Sequence, residues 1–311
     1  MLIHRISENT GIDSIFISKI VAQASHLYKV YEVPKRATKG NRLIHHPSKE
    51  LKFFQRWLVD NILIYLPVHD CVYSYRAKRN IKHMAQVHRA KKYMLRADLE
   101  DFFPSLRGAD LEYFLKKNAR LLPFALSDDD LKVIRSLVCK SDRLTIGAPS
   151  SPAISNALLY EFDLFWWDKC RKLSVVYSRY ADDLYFSTNK SKILADLLSE
   201  LRNDFKKRKH PCLSLNENKT VFTSRKHKRL VTGLVLTTEN KVSIGRIKKR
   251  RIKSMIYNFK KNKLTDDDAS YLRGYIAFIN AVEPKFVETL RHKYGSETME
   301  AIMRKPLISK K

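Results

Sequence analysis

Val175-Val176-Tyr177-Ser178-Arg179-Tyr180-Ala181-Asp182-Asp183-Leu184-Tyr185-Phe186-Ser187 decides how the rest of this 311-residue chain is read. β-Branched and aromatic residues favour extended backbone on both sides of Ala181-Asp182-Asp183, and Asp suits a tight bend, so the stretch predicts strand, turn, strand. A turn has no need of two adjacent negative charges. Such a pair is either a solvated hairpin tip or part of a reaction centre, and a second acidic element decides between them.

Met94-Leu95-Arg96-Ala97-Asp98-Leu99-Glu100-Asp101-Phe102-Phe103-Pro104-Ser105-Leu106 supplies that element, a short strand stopping at an acidic turn. If both strand ends lie in one sheet, Asp98, Asp182 and Asp183 come together, and such a cluster repels itself unless protons or cations neutralise it. Hard carboxylate oxygens suit Mg²⁺, which keeps room for substrate phosphates. Two ions would serve phosphoryl transfer, one activating the attacking hydroxyl and one steadying the departing pyrophosphate.

The formal charge of +28 predicts a polyanionic partner, with nucleic acid ahead of an acidic membrane because no long apolar span or anchoring motif is present. An apolar share of 44%, with 15 Tyr and 15 Phe, excludes bulk disorder. Cys71, Cys139, Cys170 and Cys212 are spaced for neither zinc nor a disulfide framework, the polar start does not read as a secretory signal, and a reducing cytoplasm is expected.

Tyr180-Ala181-Asp182-Asp183 resembles the catalytic motif of reverse transcriptases, and Asp98 through Leu106 resembles their first palm motif. Val231-Thr232-Gly233 resembles the mark of the bacterial retron enzymes. The resemblance runs from about Tyr31 to beyond Gly274. It implies an α+β right-hand polymerase fold with fingers, palm and a short helical thumb: a helical cap over residues 1–30, fingers and palm over 31–245, and an RNA-binding thumb over 246–311. The fingers would run from Lys35 to His88 and again from Arg107 to Arg143.

The implied activity is RNA-directed DNA polymerisation, with Asp98, Asp182 and Asp183 holding two Mg²⁺, for which Mn²⁺ can substitute. A structured noncoding RNA would be template and primer, deoxynucleoside triphosphates the substrates, and an RNA–DNA hybrid maturing to RNA-linked single-stranded DNA (msDNA) the product. Antiphage defence with an effector or toxin protein follows from the same resemblance; that no membrane partner is expected follows from the missing apolar span and anchoring motif. Rival readings are a reverse transcriptase of group II intron or diversity-generating type, and a catalytically lapsed RNA-binding scaffold for an effector.

Beyond these motifs, the resemblance implies roles for further residues beside their plain structural ones. Lys39-Gly40-Asn41-Arg42-Leu43-Ile44 predicts a basic hairpin, solvated or else reaching a triphosphate through Lys35 and Arg42, the guanidinium being able to hold two oxygens. Tyr73 to Asn80 mixes aromatic and basic residues, including Arg76, as packing or as a backbone channel. Met84-Ala85-Gln86-Val87-His88 matches the family's Asn-Ala-x-x-His element at Ala85 and His88, with Met84 in place of Asn. Phe103 is core packing or, as the resemblance implies, the wall beneath the sugar, where it would exclude a ribose 2′-hydroxyl. Ile146-Gly147-Ala148-Pro149 resembles the motif that positions template and incoming base, with Ile146 in place of Gln.

Ser127-Asp128-Asp129-Asp130 and Thr265-Asp266-Asp267-Asp268 read as helix caps, and a helix is expected over Ala153 to Phe165. Lys219 is a surface lysine or, as the resemblance implies, a donor to leaving pyrophosphate. Leu230 to Leu236 predicts one strand bent at Gly233, where Thr232 and Gly233 suit either a bulge or a nucleic-acid backbone. Arg246, Lys248, Lys249, Arg250 and Arg251 open a basic helix facing phosphates, with Ile247, Ile252, Ile256 and Phe259 for packing.

Overall fold

Helices Leu2–Thr10 and Ser14–Gln23 form where apolar residues recur at helical spacing, and they bury Leu2, Ile6, Ile17 and Ile20. The computed structural model describes residues 1–34 and 40–305, so Lys35 lies outside the described residues. The chain divides into two compact units, Met1–Lys78 with Leu95–Phe222, and Arg79–Met94 with Thr223–Lys311.

In the first unit the N-terminal helices pack on helix Asp128–Val138. Ser127 and Asp130 form its capping box, and Asp130 Oδ1 also accepts the backbone N–H of Leu2 at 2.6 Å. The acids at 128–130 thus serve a helix start. Strands β1 (Tyr28–Pro34) and β2 (Asn41–Pro47) make an antiparallel hairpin, and Ser48 caps the helix Lys49–Asn61 that follows. The single helix expected over 153–165 is two, Ser151–Leu158 and Tyr160–Lys172, broken at Leu159.

Four strands form the central sheet: β3 (Tyr93–Asp98), β4 (Val176–Tyr180), β5 (Asp183–Thr188) and β6 (Val221–Ser224), in the order β4-β5-β3-β6. Tyr180 pairs with Asp183, so the turn is Ala181-Asp182 alone and Asp183 is the first residue of β5. Ala181 sits at φ 54, a left-handed position that two-residue hairpins normally give to glycine. Helices Ser151–Leu158, Tyr160–Lys172 and Ile193–Lys207 carry the apolar cluster that includes Leu184 and Phe186 of β5.

The second unit contains β7 (Arg229–Val231), β8 (Leu234–Leu236) and β9 (Val242–Ser243), against which helix Ile81–His88 packs. Residues 230–236 are therefore a hairpin rather than one bent strand. Val231 pairs with Leu234, and Thr232 (φ 46) and Gly233 (φ 82) form the two-residue turn, both left-handed as such a turn requires. Helices Arg246–Lys260, Asp266–Val282, Pro284–Tyr294 and Ser296–Arg304 complete the unit, with Thr265 capping the second of them. Ile252 and Ile256 are buried as expected, whereas Ile247 is 77% exposed and does not pack. No helix among the described residues is long and apolar enough to cross a membrane.

Candidate active site

The two acidic elements lie on neighbouring strands, β3 and β5, and a backbone hydrogen bond carries the pairing into the turn: Leu99 N–H, just past β3, donates to the carbonyl of Asp182 at 2.9 Å. On the other side of the same segment, Asn216 N–H donates to Asp98 O at 2.8 Å and Glu100 N–H to Ser214 O at 2.9 Å. The expected strand piece at 213–216 is reduced to a single bridge between Leu99 and Leu215. This bridge sets the short 3-10 turn Glu217–Lys219 beside Asp98, where Lys219 Nζ donates to Asp98 Oδ1 at 2.8 Å. The Asp98 side chain is buried and that of Lys219 is half exposed.

Asp183 has a cationic partner of its own. Arg96 Nε and Nη2 reach its Oδ1 at 2.9 and 2.8 Å. Sequence reading missed Arg96, although the signal was present: residues two apart on a strand share a face, so Arg96 accompanies Asp98. Burial raises the Asp182 carboxyl above the usual range, and nearby Asp98 adds to this. Burial pushes Asp183 up to about 6, with Arg96 opposing and Asp182 reinforcing the rise. The buried acids thus hold more negative charge than their surroundings favour, a condition that a cation relieves. Among the described residues no group of three or more His, Cys, Asp or Glu converges as a metal centre. Asp98 and Asp182 nevertheless offer the hard oxygen donors that suit Mg²⁺, while Asp183 is engaged by Arg96.

Asp182 lines a cavity of about 560 Å³ together with Arg42, Tyr75, Phe103, Ile146 and Lys219. Phe103 is half-buried and packs on Phe102 with ring centroids 5.2 Å apart, so it is at once core and wall. The Ile146-Gly147 loop is stitched to β2, because His45 N–H donates to Ile146 O at 2.9 Å. Gly147 runs at φ 118, and a Cβ there would lie 2.7 Å from the His45 carbonyl oxygen. Ile146 lacks the family's side-chain amide, yet its backbone fastens the cavity wall. Tyr75, held at φ 55, was read only as part of an aromatic and basic stretch; the fold brings it to the cavity lining.

Other expected contacts are placed differently. Arg76 is turned inward, donating to the carbonyls of His69 (2.9 Å) and Val72 (3.4 Å) and to Asp70 (3.3 Å). His88 is fully buried with Met84 and Ala85, so it presents no surface to nucleic acid; its element packs helix to sheet, and Met84 fills apolar space there. Within the second unit, Lys248 Nζ donates to Gly233 O at 3.2 Å, tying the basic helix to the Thr232-Gly233 turn. Lys249 pairs with Glu283 and lies over the Phe286 ring, and Arg251 lies 5.2 Å from the ring centre of Tyr271. Arg246 and Arg250 stay exposed.

The family profile described as "Reverse transcriptase (RNA-dependent DNA polymerase)" matches residues 33–259. The chain is 36% identical over 290 residues to the Retron Ec83 reverse transcriptase of Escherichia coli, covering 90% of this chain and 91% of that protein. It is 33% identical over 294 residues to the Retron Ec73 reverse transcriptase of the same organism, covering 88% and 91%. Among solved structures, it is similar in fold to the telomerase of Candida tropicalis in complex with a fragment of telomeric RNA. The TM-score is 0.51 at 13% identity, and the match covers 93% of this chain and 62% of that one.

Proposed function

Because the chain belongs to the retron reverse transcriptases and is an RNA-directed DNA polymerase, we propose that Asp98 and Asp182 are the carboxylates around which it extends a primer hydroxyl with deoxynucleoside triphosphates. The observation that carries this reading is the Leu99–Asp182 hydrogen bond, which brings the two acidic elements together at the cavity. Asp98 and Asp182 would hold Mg²⁺, or Mn²⁺ in its place, and the bound ions would supply the charge that activates the hydroxyl and steadies pyrophosphate. Asp183, balanced by Arg96, keeps the site's field negative without itself being free to ligate.

The chain's own residues carry the remaining work. Arg42 reaches the triphosphate, Lys219 releases Asp98 and donates toward the leaving group, and Phe103 closes the space a 2′-hydroxyl needs. In right-hand terms the β1–β2 hairpin is fingers, the four-stranded sheet palm, and the helices from Arg246 onward thumb. The relatives are retron reverse transcriptases, and with the motif resemblance we propose for this chain a structured noncoding RNA as template and primer, an RNA-linked DNA product, work in the cytoplasm and a defence role with an effector protein.

Asp182→Asn tests the reading. Primer extension on RNA should fall at least about a thousandfold while RNA affinity stays within about twofold, since one carboxylate charge is lost and the fold is kept. Primer extension at the wild-type rate would remove Asp182 from the reaction centre.

A further inference from the structure

We propose that Arg179, clamped inside the protein by Asp163, is the positioning residue of the catalytic turn: it holds Ala181 in left-handed backbone and so aims Asp182. The inference rests on Asp182 being a reaction carboxylate.

Arg179 and Asp163 are both fully buried. Arg179 Nε donates to Asp163 Oδ1 and Oδ2 at 2.9 and 3.0 Å, and Nη2 to Oδ2 at 2.6 Å, a forked pair that fixes the guanidinium plane. Tyr177 Oη donates to the same carboxylate at 2.8 Å. The remaining nitrogen, Nη1, is thereby pointed along the hairpin, where it donates to Asn156 Oδ1 and to the carbonyl of Ala181, both at 3.2 Å. The other polar group of Ala181 is held as well: its N–H donates to Ser74 Oγ at 2.8 Å. Asn156 closes the ring by donating from Nδ2 to Ser74 O at 3.0 Å. Both backbone groups of the residue before Asp182 are therefore fixed by buried side chains.

The turn needs this support. A left-handed conformation strains an alanine, and Ala181 occupies the position of the turn that glycine ordinarily takes. An ion pair at this depth offers little stability beyond a well-packed apolar pair, so packing alone gives no reason for it. The aim of Nη1 at the Ala181 carbonyl gives one. Backbone bonds on the same strand, from Tyr73 N–H to Arg179 O and from Arg179 N–H to Cys71 O, both 2.9 Å, bring the Ser74 loop alongside.

Steady-state primer extension with Ser74→Ala, Ser74→Ala/Ala181→Gly, Arg179→Lys and Asp182→Asn tests the proposal, with RNA affinity and thermal midpoint measured on each. Ser74→Ala should lower kcat about tenfold with KM for deoxynucleotide and RNA affinity unchanged, because a small misplacement of a reacting group acts on the chemical step. Adding Ala181→Gly, which takes left-handed backbone without strain, should recover most of that loss. Arg179→Lys keeps the charge but loses the fork, and should fall about a hundredfold in kcat while still binding RNA. If Arg179→Lys does not fold, the Ser74 pair decides alone. Wild-type kcat in folded Ser74→Ala, or a loss that follows the folded fraction and is not recovered by Ala181→Gly, would overturn the proposal. Asp182→Asn keeps two failures apart: an active Asp182→Asn sinks the carboxylate assignment itself, whereas an inactive one beside a wild-type Ser74→Ala sinks only the clamp.

Discussion

Gly147 shows how little freedom a single residue has at this cavity. Its φ of 118 is strained for residues with a side chain, and an added Cβ would meet the backbone oxygen of His45 at 2.7 Å. Neither neighbour yields easily, since the His45 N–H is itself bonded to Ile146 O. Gly147→Ala should therefore destabilise the first unit by about 1–3 kcal/mol and displace the cavity wall. The measurement is a thermal midpoint together with KM for deoxynucleotide: the midpoint should fall and KM rise, and an unchanged pair of values would mean that the loop relaxes without consequence. The same scale explains the acids. Asp98, Asp182 and Asp183 share one corner, yet among the described residues only Asp98 and Asp183 have a cation in direct contact, Lys219 and Arg96 respectively. Burial raises both Asp182 and Asp183, Asp183 to about 6 despite Arg96, and the neighbouring Asp98 adds to the rise at each.

Helix Ile81–His88 is the element where family resemblance and observed packing diverge. Its inward face is Met84, Ala85 and His88, all buried, and it packs on β7, β8 and β9. Burial lowers the His88 pKa to about 3, with Lys91 adding to the effect. In the unfolded chain this imidazole takes a proton near 6.5. Its folded pKa is depressed, so the unfolded state binds more protons below 6.5, and the stability of the neutral histidine is present above that pH and lost as pH falls toward 3. Between pH 7 and pH 5 the second unit should lose about 2 kcal/mol through this group alone. His88→Gln should lower stability at pH 7 but flatten the fall between pH 7 and 5, as read from chemical denaturation at several pH values. A variant slope equal to the wild type would assign the acid sensitivity to another group.

Across the whole molecule, charge is unevenly shared. Residues 79–94 and 223–311 hold 27 Lys and Arg against 8 Asp and Glu, a net of 27 − 8 = +19 out of the chain's +28. Such a field draws nucleic acid before any sequence is read. Not every cation contributes to it as a contact. Lys249 is occupied by Glu283, and Arg251 lies over Tyr271, whereas Arg246 and Arg250 stand exposed on the same helix. Arg246→Gln/Arg250→Gln should weaken RNA binding and reduce the slope of log K against log salt by about 1–2, roughly one phosphate for each charge. Lys249→Gln should lower the thermal midpoint and leave the slope within error. Equal slopes in the wild type and the double variant would place the phosphate path elsewhere on the protein.

By itself the sequence determined the chemistry and its elements. Two acidic stretches with β-prone flanks announced the carboxylates, Ser127 and Thr265 announced helix starts, and the excess of Lys and Arg announced a polyanionic partner, because residue type, short-range spacing and net charge are properties of the chain alone. Tertiary structure decided which groups face one another. Arg96 reaches Asp183 across 87 positions, Lys219 reaches Asp98 across 121, and Ser74 reaches Ala181 across 107. No local pattern encodes such pairings; they follow from sheet order and from the backbone bonds that join Leu99 to Asp182 and Asn216 to Asp98. Burial was decided there too. His88 and Arg179 look like any other cationic side chains in the sequence, and only packing, by removing water, makes one a neutral core residue and the other a buried clamp.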